Sequence, residues 1–259
     1  MKFYKMHGAG NDFIFFEGVG DISKQEIVRL CDRNLGIGAD GIIFISRSNG
    51  YDFKMEFFNP DGSKVDFCAN GGRCAVLLAS KLGYFLGRNT TFEAGDGIHE
   101  AEIFGDNIIK LKMTNPKDFQ KDLRFPKIDS NFYFTNTGVE HVVGYFQDIS
   151  SLDVDELGKA IRYDQRFPNG TNVNFVQKLG DNKLLIRTYE RGVEAETKAC
   201  GTGITAAGII DMECSENKET RIINTILGYE LKVEDIEGSV FLTGPAELVF
   251  EGKIDVLTR

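Results

Sequence analysis

Cys68-Ala69-Asn70-Gly71-Gly72 is a cysteine followed by small residues and paired glycines, and a second stretch of the same kind follows, Cys200-Gly201-Thr202-Gly203. The two cysteines are offset by 132 residues, about half of the 259-residue chain. Behind each lies a run of nearly all small or apolar residues, Cys74 to Leu82 and Ile204 to Met212. A helix with no polar face is buried, so both runs read as central helices. The first stops at Gly83, which suits the left-handed residue that closes a helix.

Working outward from the cysteines, the correspondence continues. Gly170-Thr171-Asn172-Val173-Asn174-Phe175-Val176 follows Gly38-Ala39-Asp40-Gly41-Ile42-Ile43-Phe44 at the same offset, and the strand Lys183 to Tyr189 follows Tyr51 to Phe57. Asn59 precedes Cys68 by nine residues, as Arg191 precedes Cys200. Each half also opens a helix with a capping box, Ser23 with Glu26 and Asp153 with Glu156, stapled by Ile22 and Ile27 or by Leu152 and Leu157. An ordered series at nearly constant offset is the mark of a duplicated unit. The fold class is therefore α+β, with two pseudo-symmetric halves, residues 1–115 and 116–249, divided near Thr114-Asn115-Pro116. Strand pairs turn at Gly105-Asp106-Asn107 and near Glu237-Gly238-Ser239. The strand near Val249 to Val256 has no counterpart in register, and residues 250–259 are expected to cross back and complete the first half.

Composition narrows the function. With 42% apolar and 27% charged residues the chain is an ordinary globular protein. A net charge of −9 argues against nucleic acid or an anionic membrane surface as partner. A small anionic ligand needs only a local positive site. No apolar run is long enough to span a membrane, and Met1 to His7 reads as a strand, not as an export signal. Five cysteines without a framework point to free thiols in the cytoplasm. No cysteine pair has C-x-x-C spacing and His7, His99 and His141 are scattered, so no metal site is expected. Cys31, on the stripe of Ile27 and Leu30, reads as a core residue.

Two repeats that pack about a pseudo-two-fold place equivalent residues on opposite sides of the cleft between them. Here the equivalents are Cys68 and Cys200, each expected at a helix N-terminus, where the helix dipole favours a thiolate. The glycines behind them leave backbone N–H groups open to a carboxylate. Inverting a stereocentre by proton transfer needs a base on one face and an acid on the other. The carbanion formed from an amino acid also needs fixed dipoles aimed at its carboxylate. Neither Gly-rich stretch carries the ending of a P-loop or completes a dinucleotide fingerprint.

At these residues the chain resembles the diaminopimelate epimerase family. The resemblance is carried by Gly10-Asn11-Asp12-Phe13, Gly36-Ile37-Gly38-Ala39-Asp40-Gly41, Asn59-Pro60-Asp61-Gly62-Ser63, Cys68 to Cys74, Phe167 to Val176, Tyr189-Glu190-Arg191-Gly192-Val193 and Ala199 to Gly203. It implies two halves, each a strongly bent, mostly antiparallel sheet or barrel around a central helix. The active site would lie in the cleft between them. It also implies a cofactor-independent epimerisation of LL-2,6-diaminopimelate to the meso form, in lysine and peptidoglycan precursor synthesis, by a cytoplasmic homodimer. Cys68 and Cys200 match the acid/base thiols, Glu190 a glutamate near the second and His141 a histidine near the first. Ala69, Asn70, Gly201 and Thr202 match positions that hold the reacting amino acid. Asn11, Asn59, Asn172 and Arg191 match those that bind the rest of the substrate. Arg191 also makes sense by itself, since a guanidinium is the natural bidentate partner of a second carboxylate. Three positions depart from the family pattern: Ala69 stands where Gly is frequent, Gly41 where some members have Gln, and Val139 where an Asn is frequent. Two other readings of the residues stay open: a two-thiol racemase of another amino acid, and a non-catalytic carboxylate-binding or redox dithiol protein.

Overall fold

The computed structural model describes residues 1–126 and 128–255. These form two compact units, Met1–Leu111 with the chain from Gly244 on, and Lys112–Thr243.

The first unit begins with β1 (Lys2–Gly8) and β2 (Asn11–Glu17), then α1 (Lys24–Cys31), β3 (Ile42–Ser46), β4 (Phe53–Phe58) and the two-residue β5 (Lys64–Val65). The central helix α2 (Ala69–Lys81) follows, then β6 (Asn89–Ala94), β7 (Gly97–Phe104) and β8 (Ile108–Lys112). β7 and β8 are the strand pair expected about Gly105-Asp106-Asn107, and Gly95-Asp96 makes a further tight turn that joins β6 to β7. The second unit runs β9 (Lys117–Phe125), β10 (Ile128–Asn136), β11 (Glu140–Phe146), α3 (Val154–Arg162), β12 (Asn172–Lys178), β13 (Lys183–Glu190) and the short β14 (Ala195–Thr197). It continues through α4 (Gly201–Glu213), β15 (Arg221–Thr225), β16 (Glu230–Ile236) and β17 (Ser239–Pro245). The chain then returns to the first unit as β18 (Glu247–Lys253), antiparallel to β1. Val256 and the residues after it lie outside the described residues.

Strand pairing shows the duplication directly. The first unit is ordered β18-β1-β2-β3-β4-β6-β7-β8, and the second β9-β10-β11-β12-β13-β15-β16-β17. In both orders the second and third strands after the outermost one run parallel, as do the fourth and fifth, and the other neighbours are antiparallel. Parallel neighbours cannot be joined by a hairpin, so each such pair needs a crossover. α1 and α3 supply the first, and α2 and α4 the second. β18 therefore has a structural counterpart, β9. The sequence offset misses it because β9 precedes its own unit whereas β18 follows at the far end of the chain.

Local chemistry explains the elements. Ser23 and Asp153 accept backbone hydrogen bonds from Glu26 (3.2 Å) and Glu156 (2.9 Å), fixing the starts of α1 and α3. The carboxylate of Glu26 also accepts from Arg29 Nε at 3.0 Å. Ile22 and Ile27 pack in the cluster around Phe16, Leu30 and Phe44, and Leu152 and Leu157 in the cluster around Phe132, Ile161 and Phe175. Each fully buried Phe of these clusters is worth about 2–3 kcal/mol. α2 and α4 are buried on almost every side, which matches their lack of a polar face. Among the described residues no helix is long and apolar enough to cross a membrane.

Candidate active site

Both cysteines at the origin of the sequence reading cap a buried helix. Cys68 (φ −138°, ψ 119°) is the N-cap of α2 and Cys200 (φ −114°, ψ 109°) that of α4. Each carbonyl accepts the first helical hydrogen bond, from Gly72 at 2.7 Å and from Ile204 at 2.9 Å. Neither thiol caps its helix, unlike the side chains of Ser23 and Asp153. A helix start without a side-chain cap keeps its first-turn N–H groups for another acceptor.

In the first unit the Cys68 thiol lies 3.8 Å from Asn11 Oδ1, and the same oxygen accepts from Asn70 Nδ2 at 3.2 Å. Asn11 is oriented in turn by donating to Asp40 Oδ2 at 2.8 Å. Asp40 also accepts from the Asp12 backbone and pairs with Arg33. Burial pushes the Asp12 carboxyl up, but hydrogen bonds from Arg33 and Lys5 hold it well below the usual carboxylate range. Gly8 lets β1 pass against the first turn of α2, since a Cβ there would stand 2.7 Å from the Asn70 carbonyl oxygen. Gly41 has no room for a side chain: a Cβ would meet Phe57 Cε2 at 2.4 Å, so a residue as large as Gln does not fit in this packing. Asn59 opens a turn in which it donates from Nδ2 to Ser63 Oγ at 3.2 Å. Ala69 is buried in the first turn of α2.

In the second unit Cys200 Sγ stands 3.4 Å from Thr202 Oγ1, and the Thr202 carbonyl accepts from Thr137. Asn174 lies directly under the first turn of α4, where a Cβ on Gly203 would come within 2.3 Å of its Oδ1. That oxygen accepts from Thr188 at 3.0 Å, while Nδ2 donates to the Val142 carbonyl and to His141 Nδ1, each at 3.1 Å. His141 is wholly buried and its affinity for a proton is pushed down to about 3, by burial first and then by Arg191. It is therefore neutral, and because Nδ1 accepts from Asn174, the proton sits on Nε2. Among the described residues Nε2 has no partner, which leaves this buried donor open to an acceptor.

Arg191 and Asn172 are joined in the same unit. The Arg191 backbone N–H donates to Asn172 Oδ1 at 2.9 Å, and Asn172 Nδ2 donates to the Glu140 carbonyl at 3.1 Å. Arg191 Nη1 donates to Glu140 Oε2 at 2.8 Å and to the carbonyls of Asn169 and Gly170. All of these side-chain bonds use Nη1. The Nε–Nη2 edge, the one that grips a carboxylate bidentately, makes no hydrogen bond among the described residues. Glu190 ends β13, half-buried and opposite Ala195. Val139 supplies its carbonyl to Thr137, a turn contact that needs no amide side chain.

Sequence reasoning missed several of these parts. Asp40 orients Asn11, Asn174 props α4 and positions His141, and Arg73 is buried in α2. Two of them had a signal. Asn172 and Asn174 alternate with Val173 and Phe175, so two amides share one face of an otherwise apolar strand. Arg73 is a lone charge between small and apolar residues. The role of Asp40 had none, being visible only once β2 and β3 are paired.

Comparison with known proteins now settles the lineage. The profile of the diaminopimelate epimerase family matches residues 3–118 and 133–249. The chain is 40% identical to the diaminopimelate epimerase of Flavobacterium psychrophilum, over 98% of this chain and all of that one. It is 39% identical to that of Aquifex aeolicus, over 98% of each. The chain belongs to the diaminopimelate epimerase family. It is thus an enzyme of the isomerase class. Solved structures at low identity share the fold. One is a PhzF-family phenazine biosynthesis protein from Bacillus anthracis, with TM-score 0.75, 16% identity and 99% of each chain covered. Another is a hydroxyproline epimerase from Agrobacterium vitis, with TM-score 0.75, 13% identity, and all of this chain and 92% of that one covered.

Proposed function

We propose that the protein epimerises LL-2,6-diaminopimelate to meso-diaminopimelate by proton transfer at one α-carbon, with Cys68 and Cys200 as the acid/base pair. One observation carries the reading: within a chain of this family, the two cysteines hold the same place at the starts of the two equivalent buried helices, and neither thiol is spent on capping. One thiolate removes the α-hydrogen as a proton, and the other group, a thiol, delivers a proton to the opposite face. The substrate leaves inverted with no net change in protons, and the two sulfurs have exchanged states. First-turn N–H groups meet the α-carboxylate and the negative charge that develops beside it. Asn70 and Thr202, with Ala69 and Gly201, line those turns. Asn11 orders the Cys68 side, and Glu190 and the His141 Nε2–H group serve as further polar contacts. Arg191, aligned by Asn172 and Glu140, offers its Nε–Nη2 edge to the distal carboxylate, and Asn59 and Asn11 hold the distal amino acid end. A homodimer in the cytoplasm, making peptidoglycan and lysine precursors, is part of the same reading.

The test is solvent exchange. Reduced, folded protein in deuterium oxide, with neither pyridoxal phosphate nor metal added, should place deuterium at the α-carbon of diaminopimelate. Absence of incorporation would overturn the proposal. A panel of L-amino acids run alongside fixes the substrate: incorporation into an amino acid with one carboxylate at the same rate would remove Arg191 from its role.

A further inference from the structure

Arg73 sits on α2, five residues after Cys68, and its side chain is entirely out of solvent. A guanidinium cannot shed its charge at ordinary pH, and a buried cation without an anion is costly. Yet no carboxylate pairs with it among the described residues. Its hydrogen bonds go to uncharged oxygens: Asn70 Oδ1 at 2.8 Å, and the carbonyls of Ala69 and Pro245 at 3.4 Å.

The elements packed on α2 bring other charged groups, each engaged elsewhere. On β1 and β2, Lys5 pairs with Asp12, which also takes Arg33. His7 lies 3.7 Å from Glu247 of β18. Glu56 of β4 pairs with Lys64, and His99 of β7 with Asp96. Among the described residues, the ionisable groups that bear on the guanidinium are two thiols, Cys74 of its own helix and Cys68 at the N-cap of that helix. Cys74 has no exposed surface, and burial pushes its thiol up to about 12, so it is a neutral SH. Cys68 remains, part-buried at the helix start with its sulfur 3.8 Å from Asn11 Oδ1, a contact that the neutral thiol donates and the thiolate gives up.

The second unit supplies an internal control. At the same offset α4 carries Thr205, whose hydroxyl donates back to the Gly201 carbonyl at 2.9 Å, just as Arg73 Nη1 donates to that of Ala69. The position is equivalent, the backbone contact is equivalent, and only the first unit has a charge there.

We propose that Arg73 is the buried counter-cation of the Cys68 thiolate, a positioning residue that makes Cys68 the resting base and leaves Cys200 the resting acid. The inference rests on the acid/base roles given to the two thiols above. The resting enzyme is then poised to remove the α-hydrogen on the Cys68 side, and turnover in the other direction begins from the less populated protonation state.

Alkylation of the reduced protein with iodoacetamide over a pH series, with the Cys68 and Cys200 peptides quantified separately by mass spectrometry, tests it. Midpoints are compared, not rates, because the two thiols differ in exposure. In the unaltered protein the Cys68 midpoint should lie at least about one pH unit below that of Cys200, a tenfold difference in thiolate fraction. Arg73→Met should raise the Cys68 midpoint by about one unit while leaving Cys200 within a few tenths, and Arg73→Lys should retain most of the native value. A lower midpoint at Cys200 in the unaltered protein overturns the inference, and this needs no variant to fold. So does an unmoved Cys68 midpoint in folded Arg73→Met. Should Cys68→Ala and Cys200→Ala both epimerise normally, the acid/base assignment itself falls; should both be inactive while the labelling order is reversed, only the role of Arg73 falls.

Discussion

The first turn of α2 and the first turn of α4 are the same structure with different electrostatics. Their capping cysteines share backbone angles, and the strands beside them pair in the same order. Aligning the two units through the parallel pairs, Ile14 with Ile42 and Val143 with Asn174, equates Asp12 with His141 and Asn11 with Glu140. One unit therefore has a carboxylate locked to Lys5 and Arg33 where the other has a neutral imidazole on Asn174. One helix buries Arg73 where the other buries Thr205. Duplication conserved the backbone of the two helix starts and left a cysteine at each. Divergence then made the surroundings unequal, which suits the opposite protonation states proposed for the two thiols.

The most severe way to probe this comparison is to remove one thiol at a time. Cys68→Ala and Cys200→Ala should each lower epimerisation by about 10³-fold or more, the scale of a lost acid or base. Each variant should still wash α-tritium out of one stereoisomer, a different one in the two cases. Washout of the same isomer by both would break the opposite-face reading. Arg191→Ala comes next: losing a charge-assisted bidentate grip of about 1.5–3 kcal/mol should raise KM roughly 10- to 100-fold while kcat falls less. A fall in kcat alone would place Arg191 at the reacting carbon.

A smaller effect reads the His141 side. In the unfolded chain this residue takes up a proton near 6.5, but in the folded one only near 3. The folded state thus binds fewer protons between those values, and stability, full above pH 6.5, falls as pH drops below it, by up to about 1.4 kcal/mol per unit. Urea unfolding at pH 7.5 and 5.5 should show a drop about 1 kcal/mol larger for the native protein than for His141→Gln. Equal drops would mean that His141 is charged in the fold. Least affected should be Cys214→Ser. This thiol is exposed at the C-terminal end of α4, and its replacement should leave activity unchanged and stability within about 0.5 kcal/mol, checked by the same unfolding curves.

Much of this was legible in the chain itself. The 132-residue offset exposed the repeat, and Ser23 and Asp153 marked helix starts because capping is a local interaction between near neighbours. The buried helices were visible because their runs are nearly all small or apolar, although α2 and α4 start directly after their cysteines, ahead of the apolar runs that announce them. What stayed hidden depends on pairing distant segments. Asn11 finds Asp40 only when β2 and β3 align, and the tautomer of His141 follows from Asn174, which lies 33 residues away on β12. The partner of the last strand was hidden for the same reason, since a constant offset cannot reveal a piece moved to the other end of the chain.

That moved strand also orders assembly in time. The second unit is one continuous stretch, so every strand it needs has been made once β17 leaves the ribosome. The first unit, begun earlier, waits for β18 to cover β1. Until then β1 presents an open edge of unpaired backbone groups, the kind of template on which another chain can add. The half that is synthesised first is thus the half that closes last.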